Sequence, residues 1–288
     1  MPRLIVNADD FGMAPGVNRA VLELHAAEVL TSATLMARAA ATEEAAKMAL
    51  AMPSLGVGCH IVLVDGTPTS DPEAIPSLVE PNTTALFPSI GEFLKRLYTA
   101  RIRTAEIEAE AAAQIALLQS YGLRLTHIDT HKHMHMFPLV LRPVLRAARA
   151  AGIRAIRNPF EPLWSINATL DAPEARRIEV LLLRRLESRF RRVVAQEGFV
   201  TTDGSIGVLA TGTLQLSVVH ALISAMPEGT FEFVSHPGYR DETLARANTR
   251  LLESREIERN ALVAIKDYSG INLISFAGLH EPAAQQMP

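Results

Sequence analysis

Short apolar runs alternate along this chain with longer stretches in which apolar residues recur every three or four positions. Leu4-Ile5-Val6 reads as a buried strand, and residues 15–29 carry Val17, Ala20, Val21 and Leu24 at helical spacing. The alternation continues with strands over 31–36 and 55–63 and a helix over 42–51. A Pro/Asp/Thr-rich loop fills 65–88, followed by a helix over 102–119 closed by Gly122 and a strand over 124–130. Helices over 138–151, 173–195, 214–226 and 255–266 and strands over 153–156, 231–235 and 272–276 complete the series. Strands separated by helices imply an α/β fold with a largely parallel sheet and helices outside. About seven strands favour a closed or nearly closed barrel over a small open sheet. Residues 1–288 are expected to form a single domain, with 160–205 a helical insertion beside the barrel.

Composition narrows the partners. With 48% hydrophobic residues the chain can bury a full-size core. A net charge of −3 without a run of one sign gives no footprint for a phosphate backbone, so nucleic acid is not an expected partner. Cys59 is the single cysteine, which excludes an intrachain disulfide and a cysteine-built zinc site. Any metal must use histidine and carboxylate. The apolar stretch before Asn7 is too short for a signal-peptide core, and no segment approaches the roughly 20 apolar residues of a spanning helix. A soluble cytoplasmic protein is the expectation. The arginines among Leu181, Leu182, Leu183 and Leu186 read as a solvated face; the competing reading is a patch that rests peripherally on the inner membrane or on a second copy in a homodimer.

The out-of-place polar residues fall at one end of their strands. Asp9 and Asp10 follow the first strand, His60 sits late in its own, His131 follows 125–129 and His236 follows 231–235. In a parallel barrel those ends meet on one face. His127, Asp129, His131, His133 and His135 are spaced by two, which on extended backbone places them on one inward face. His131, at the strand mouth, is the best ligand among them. Adjacent residues on a strand point in different directions, so one of Asp9 and Asp10 can ligate a metal while the other stays free as a base. His236 before Pro237-Gly238 is exposed at the rim as a candidate general acid, and Glu232 lies on the same side of that strand. Arg157, ending its strand, would pair with a catalytic carboxylate or cap the barrel surface. A two-His, one-Asp set with open positions suits one zinc or another divalent ion in a hydrolytic centre.

Asn7-Ala8-Asp9-Asp10-Phe11-Gly12, Gly58-Cys59-His60, the 127–135 histidine cluster and His236-Pro237-Gly238 resemble the YdjC-like carbohydrate deacetylases, in order over nearly the whole chain. The resemblance implies a distorted TIM-like barrel, one divalent ion (zinc or magnesium) held by Asp10, His60 and His131, and removal of N-acetyl groups from GlcNAc-containing substrates. Asp9 would then act as base and His236 as acid, with Asp129, Arg157, His133, His135 and Glu232 in supporting or substrate-binding positions. Residues 60–68, 156–162 and 227–236 are nearer to the hopanoid-biosynthesis-associated (HpnK) branch, which implies a GlcNAc-bearing hopanoid lipid rather than a free chitooligosaccharide. Cys59 departs from the bulkier apolar residue expected there. The competing classes are a phosphoesterase, which would need two metals about 3.5–4 Å apart, and a non-catalytic sugar- or lipid-binding barrel.

Overall fold

Strands covered on both faces need unbroken apolar runs. The first strand, β1 (Arg3–Phe11), has one over Leu4–Val6, and every residue after Arg3 is buried. The computed structural model describes residues 1–280. Around β1 stand β2 (Ser32–Leu35), β3 (Gly56–Ile61), β4 (His127–Thr130), β5 (Gly204–Ile206) and β6 (Thr230–Ser235), in the order β4-β3-β2-β1-β6-β5. Every pairing is parallel, and β7 (Asn272–Leu273) pairs with the start of β1. Between β4 and β5 the wall continues through single parallel bridges, Ile128 to Ile156 and Ala155 to Val200. The result is a distorted α/β barrel of about seven strands, as the sequence pattern predicts. The expected strand over 153–156 is reduced to those bridges: Ala155 and Arg157 bond to Ile128 on one side, and Arg154 and Ile156 to Val200 on the other.

Outside lie α1 (Pro15–Ala26), α2 (Thr42–Leu50), α3 (Ile90–Tyr98), α4 (Thr104–Ser120) and α5 (Pro138–Ala150). They are followed by α6 (Leu163–Ala168), α7 (Glu174–Leu183), α8 (Glu187–Gln196), α9 (Leu216–Ser224), α10 (Glu242–Arg246) and α11 (Ser254–Leu262). The helix expected over 173–195 divides into α7 and α8 at one 3-10 turn, Arg184–Leu186. Among the described residues no helix is long and apolar enough to cross a membrane.

Two local features set the site. In β1, Ala8 pairs with Ala33 but Phe11 pairs with Leu35, so Asp9 and Asp10 together face the single residue Thr34. This bulge puts Asp10 in the left-handed region, φ 62°, and re-aims its side chain. In β4, His127 is fully buried and stacked on Phe276, ring centroids 3.7 Å apart. Gly58 makes room for that ring, since a Cβ there would lie 2.5 Å from His127 Cε1. Gly58→Ala is therefore expected to cost about 1–3 kcal/mol by overpacking. Thermal unfolding reads this directly, and an unchanged melting temperature would show that the stacked ring can yield.

Candidate active site

The carboxyl ends of β1, β3, β4 and β6 bring the sequence-derived candidates together. Asp10 Oδ1 lies 3.5 Å from His60 Nε2 and 3.4 Å from His131 Nδ1, and the two imidazole nitrogens are 3.3 Å apart. An ion equidistant from the three would sit about 2 Å from each, the length of zinc–nitrogen, zinc–oxygen and magnesium–oxygen bonds. These side chains therefore fit a divalent ion. Asp129 Oδ1 is 2.7 Å from His60 Nδ1, which fixes the ring with Nε2 turned to the cluster.

Behind this triangle Arg157 is fully buried among three carboxylates. Its Nη1 and Nη2 donate to Asp9 Oδ2 and Oδ1 at 2.7 and 2.5 Å, a bidentate pair. Nε and Nη2 donate to Glu232 Oε1 at 2.8 and 2.6 Å. Asp129 Oδ2 lies 2.5 Å from Nη1, an ion pair out of line for a hydrogen bond. Asp9 also accepts from Asn7 Nδ2 at 2.9 Å and Thr34 Oγ1 at 3.2 Å. A second set of potential ligands, Asp9, His60 and Asp129, exists, but the Arg157 guanidinium already supplies its positive charge.

Helix α11 contributes two buried charges that sequence reasoning missed. Arg255 Nη2 donates to Asp10 Oδ2 at 2.6 Å, so one Asp10 oxygen is anchored while Oδ1 faces the histidines. Its Nε and Nη1 have no hydrogen-bond partner among the described residues. Three residues on, Glu258 accepts the His236 backbone N–H at 2.7 Å and lies 3.7 Å from His236 Nδ1. His236 Nε2 points the other way, 3.8 Å from Asp9 Oδ2. Arg255 and Glu258 stand among the exposed charges Glu253 and Glu256, so no signal in the sequence separates them.

The cluster carries opposed fields. Burial alone would raise Asp9 and Asp10, but Arg157 and Arg255 respectively hold both below the usual carboxylate range. Burial pushes Glu232 up to about 7 despite Arg157. For His60, burial opposes the charge, yet Asp129, Asp9 and Asp10 outweigh it and raise the ring to about 9. His236 is likewise raised, Glu258 overcoming burial. The carboxylates of this cluster outnumber its two guanidiniums, and a protonated His60, or a divalent ion in place of that proton, offsets the difference.

The other histidines do not share the inward face that period-two spacing suggests. Extended backbone ends at Thr130; His131–Met136 form a 3-10 turn with Lys132 and His133 in the left-handed region, φ 55° and 53°. His127 belongs to the core, and burial holds it neutral. His135 is buried between Thr130 Oγ1 at 2.7 Å and the Arg157 carbonyl at 3.2 Å, its value lowered to about 3 by burial and Arg157. Asp129, Arg157, Glu232 and His135 lie behind the site. Of the supporting candidates only His133, likewise lowered by burial, lines the open cleft.

That cleft holds about 720 Å³ and contains Asp9, Asp10, His60, His131 and His236. One arm is walled by Ile90, Leu94, Phe137, Phe160, Val180 and Leu183. A second recess of about 550 Å³ shares Met13, Asp65, His131 and Asn248 with it and is lined by Arg38, Thr67 and Arg246. At the junction Asp65 accepts from Lys132 Nζ at 2.7 Å and Asn248 Nδ2 at 2.8 Å.

Fold and site together define a parallel α/β-barrel protein with a carboxylate–histidine cluster, suited to a divalent ion, at the carboxyl ends of its strands. More particularly, the chain belongs to the YdjC-like protein family, whose model matches residues 3–265. It is 32% identical over 286 residues to a carbohydrate deacetylase of Brevibacillus brevis, covering 96% of this chain and 99% of that protein. It is 47% identical over 164 residues to a carbohydrate deacetylase of Geobacillus stearothermophilus, a match spanning 57% of this chain and 61% of the relative. A crystal structure of an Enterococcus faecalis protein, provisionally assigned to cellobiose-phosphate cleavage, shares the fold with a TM-score of 0.77 at 24% identity, covering 96% and 98% of the two chains.

Protonated His60, with a value near 9 against an ordinary 6.5, stabilises the metal-free fold fully below about pH 6.5, and that contribution drains away as pH rises through about 9. A cation between the same groups has the opposite dependence, because it must displace that proton. Zinc titration of metal-free protein at pH 7.5, by calorimetry in buffers of different ionisation enthalpy, should show release of about one proton from His60 per ion, fading above about pH 9. Release that does not change with pH would contradict it. Arg157→Met should cost about 3–5 kcal/mol in denaturant unfolding, since it strands three buried carboxylates. A loss below about 1 kcal/mol, the scale of a surface ion pair, would show that they are solvated.

Proposed function

We propose that this chain is a metal-dependent carbohydrate N-deacetylase that hydrolyses the acetamide of a GlcNAc-containing substrate. The observation that carries the reading is the Asp10–His60–His131 triangle with Asp9 and His236 beside it in one cleft. The carbohydrate deacetylase relatives support the same chemistry. In this reading Asp10, His60 and His131 hold one divalent ion, zinc or magnesium. When bound, such an ion supplies polarisation of the acetyl carbonyl and a lowered pKa of water, to about 7 in zinc enzymes.

Asp9 stays ionised because of Arg157, and its Oδ2 faces the cleft beside His236. It takes the proton of the attacking water as the new C–O bond forms. The bidentate Arg157 pair makes Asp9 a weak resting base, so it holds that proton briefly and returns it to His236, 3.8 Å away, once His236 has protonated the leaving nitrogen. His236, kept protonated by Glu258, gives its proton to the amine nitrogen as the C–N bond breaks, which releases acetate and a free amino sugar. Asp129 and Arg255 hold His60 and Asp10 in line. A phosphoesterase with paired metals is disfavoured, because Arg157 fills the second carboxylate cluster.

For the sugar's carrier we propose a lipid, with a GlcNAc-bearing hopanoid as the specific case, seated along the apolar arm of the cleft. The recess lined by Arg38, Thr67 and Arg246 favours the alternative of a soluble GlcNAc oligomer. Acetate release measured on lipid-linked GlcNAc and on GlcNAc oligomers decides between them, and release from neither would remove the deacetylase reading. Asp9→Asn is expected to keep the ion, by elemental analysis, while losing about 10²–10⁴-fold in rate. Asp10→Asn should lose the ion. The reverse pattern would exchange the two roles.

A further inference from the structure

The segment α7–α8 is an amphipathic rod with one face in the barrel and one in solvent. Val180, Phe190, Val193 and Val194 are buried, and Val180 and Leu183 also wall the apolar arm of the cleft. On the opposite side Ile178, Leu181 and Leu182 remain 50%, 39% and 51% exposed. The same stripe, stepping by three and four residues, continues through exposed Arg185, Arg189 and Arg192. The arginines of this rod divide into two groups. Arg176 pairs with Glu179, Arg177 with Glu174, and Arg184 and Arg191 with Glu187. Arg185, Arg189 and Arg192 have no carboxylate partner among the described residues. Within this segment, the guanidiniums left without a carboxylate are those that continue the exposed stripe of Ile178, Leu181 and Leu182.

From this juxtaposition we propose that the α7–α8 face is a docking surface for an anionic membrane. Ile178, Leu181 and Leu182 enter the boundary between headgroups and acyl chains, and Arg185, Arg189 and Arg192 meet lipid phosphates. Apolar side chains beside unpaired cations, on a helix lying along the surface, form the pattern of a peripheral lipid contact. Charge complementarity selects an anionic bilayer, since a neutral protein surface would leave the three arginines unmatched. The consequence for catalysis rests on the reading of the cleft as a site for a lipid-linked sugar. One helix then touches the bilayer with its outer face and the substrate's apolar part with its inner face, so a lipid carrier reaches the reacting groups without crossing open water.

The test is co-sedimentation of the full chain with vesicles of phosphatidylcholine alone or with phosphatidylglycerol, with light scattering in parallel. The wild type should bind only the anionic vesicles and be released by high salt. R185E/R189E/R192E should lower the partition by about 100-fold, at roughly tenfold or less per charge, and I178D/L182D should also lose binding. Both variants should keep the wild type's circular-dichroism spectrum and melting temperature, which shows that they fold. Absence of wild-type binding, or binding that the triple variant keeps, overturns the proposal. A wild-type dimer that the triple variant dissociates, without vesicle binding, overturns it in favour of a second copy of this chain. Vesicle binding needs no substrate, so failure of the deacetylase reading would be seen separately.

Discussion

A guanidinium with no access to water holds this site together. Arg157 cannot give up its proton, and burying it is tolerable only because Asp9, Asp129 and Glu232 surround it. The dependence is mutual: each carboxylate is buried because the cation is there. Asp129 transmits the order to His60, Asp9 is held facing His236, and Glu232 ties the group to β6. Arg255, on α11, does the same for Asp10. Two fixed cations thus divide a crowded set of acids into one that faces histidines and one that faces open cleft. The remaining negative charge concentrates where Asp10, His60 and His131 converge, the position suited to a dication.

Much of this was legible in sequence because parallel strands buried on both faces must be apolar, so a polar residue at their carboxyl ends is conspicuous. His60, His131 and His236 stood out for that reason, and the structure brings all three to one cleft. What was hidden depends on backbone that no local pattern encodes. The bulge that turns Asp9 and Asp10 to the same side arises from the register of β1 against β2, not from the two aspartates themselves. The histidine series keeps its period of two in sequence, but the chain leaves the extended state at His131, so His133 and His135 go to different environments. Arg255 and Glu258 looked like surface charges because their neighbours on α11 are surface charges. Helix α3 was masked by the proline-rich stretch before it, although Ser89 caps it by accepting from the Glu92 N–H.

The cleft has two unlike arms meeting at His131. The recess beside Arg38 and Arg246 suits hydroxyl-rich groups, whereas the wall between α3 and α7 offers Ile90, Leu94, Val180 and Leu183 to an apolar group, with Arg176 and Glu179 beside them. A sugar at the centre would have its acetamide at the carboxylate–histidine cluster whichever arm receives the rest of the molecule. In the proposed reading, chemistry and selectivity would reside in different parts of the fold: the strand ends would hold the reacting groups, and the helices beyond them would set what the sugar is attached to.

The order in which the chain is made bears on when such a site can exist. β1 carries both aspartates, yet the cation for Asp9 lies 148 residues further on and the one for Asp10 lies 245 further on. Until those segments are synthesised, β1 cannot enter a core without burying uncompensated charge. The central strand of the sheet is thus kept waiting for the segments that carry Arg157 and Arg255, which ties its burial to their synthesis.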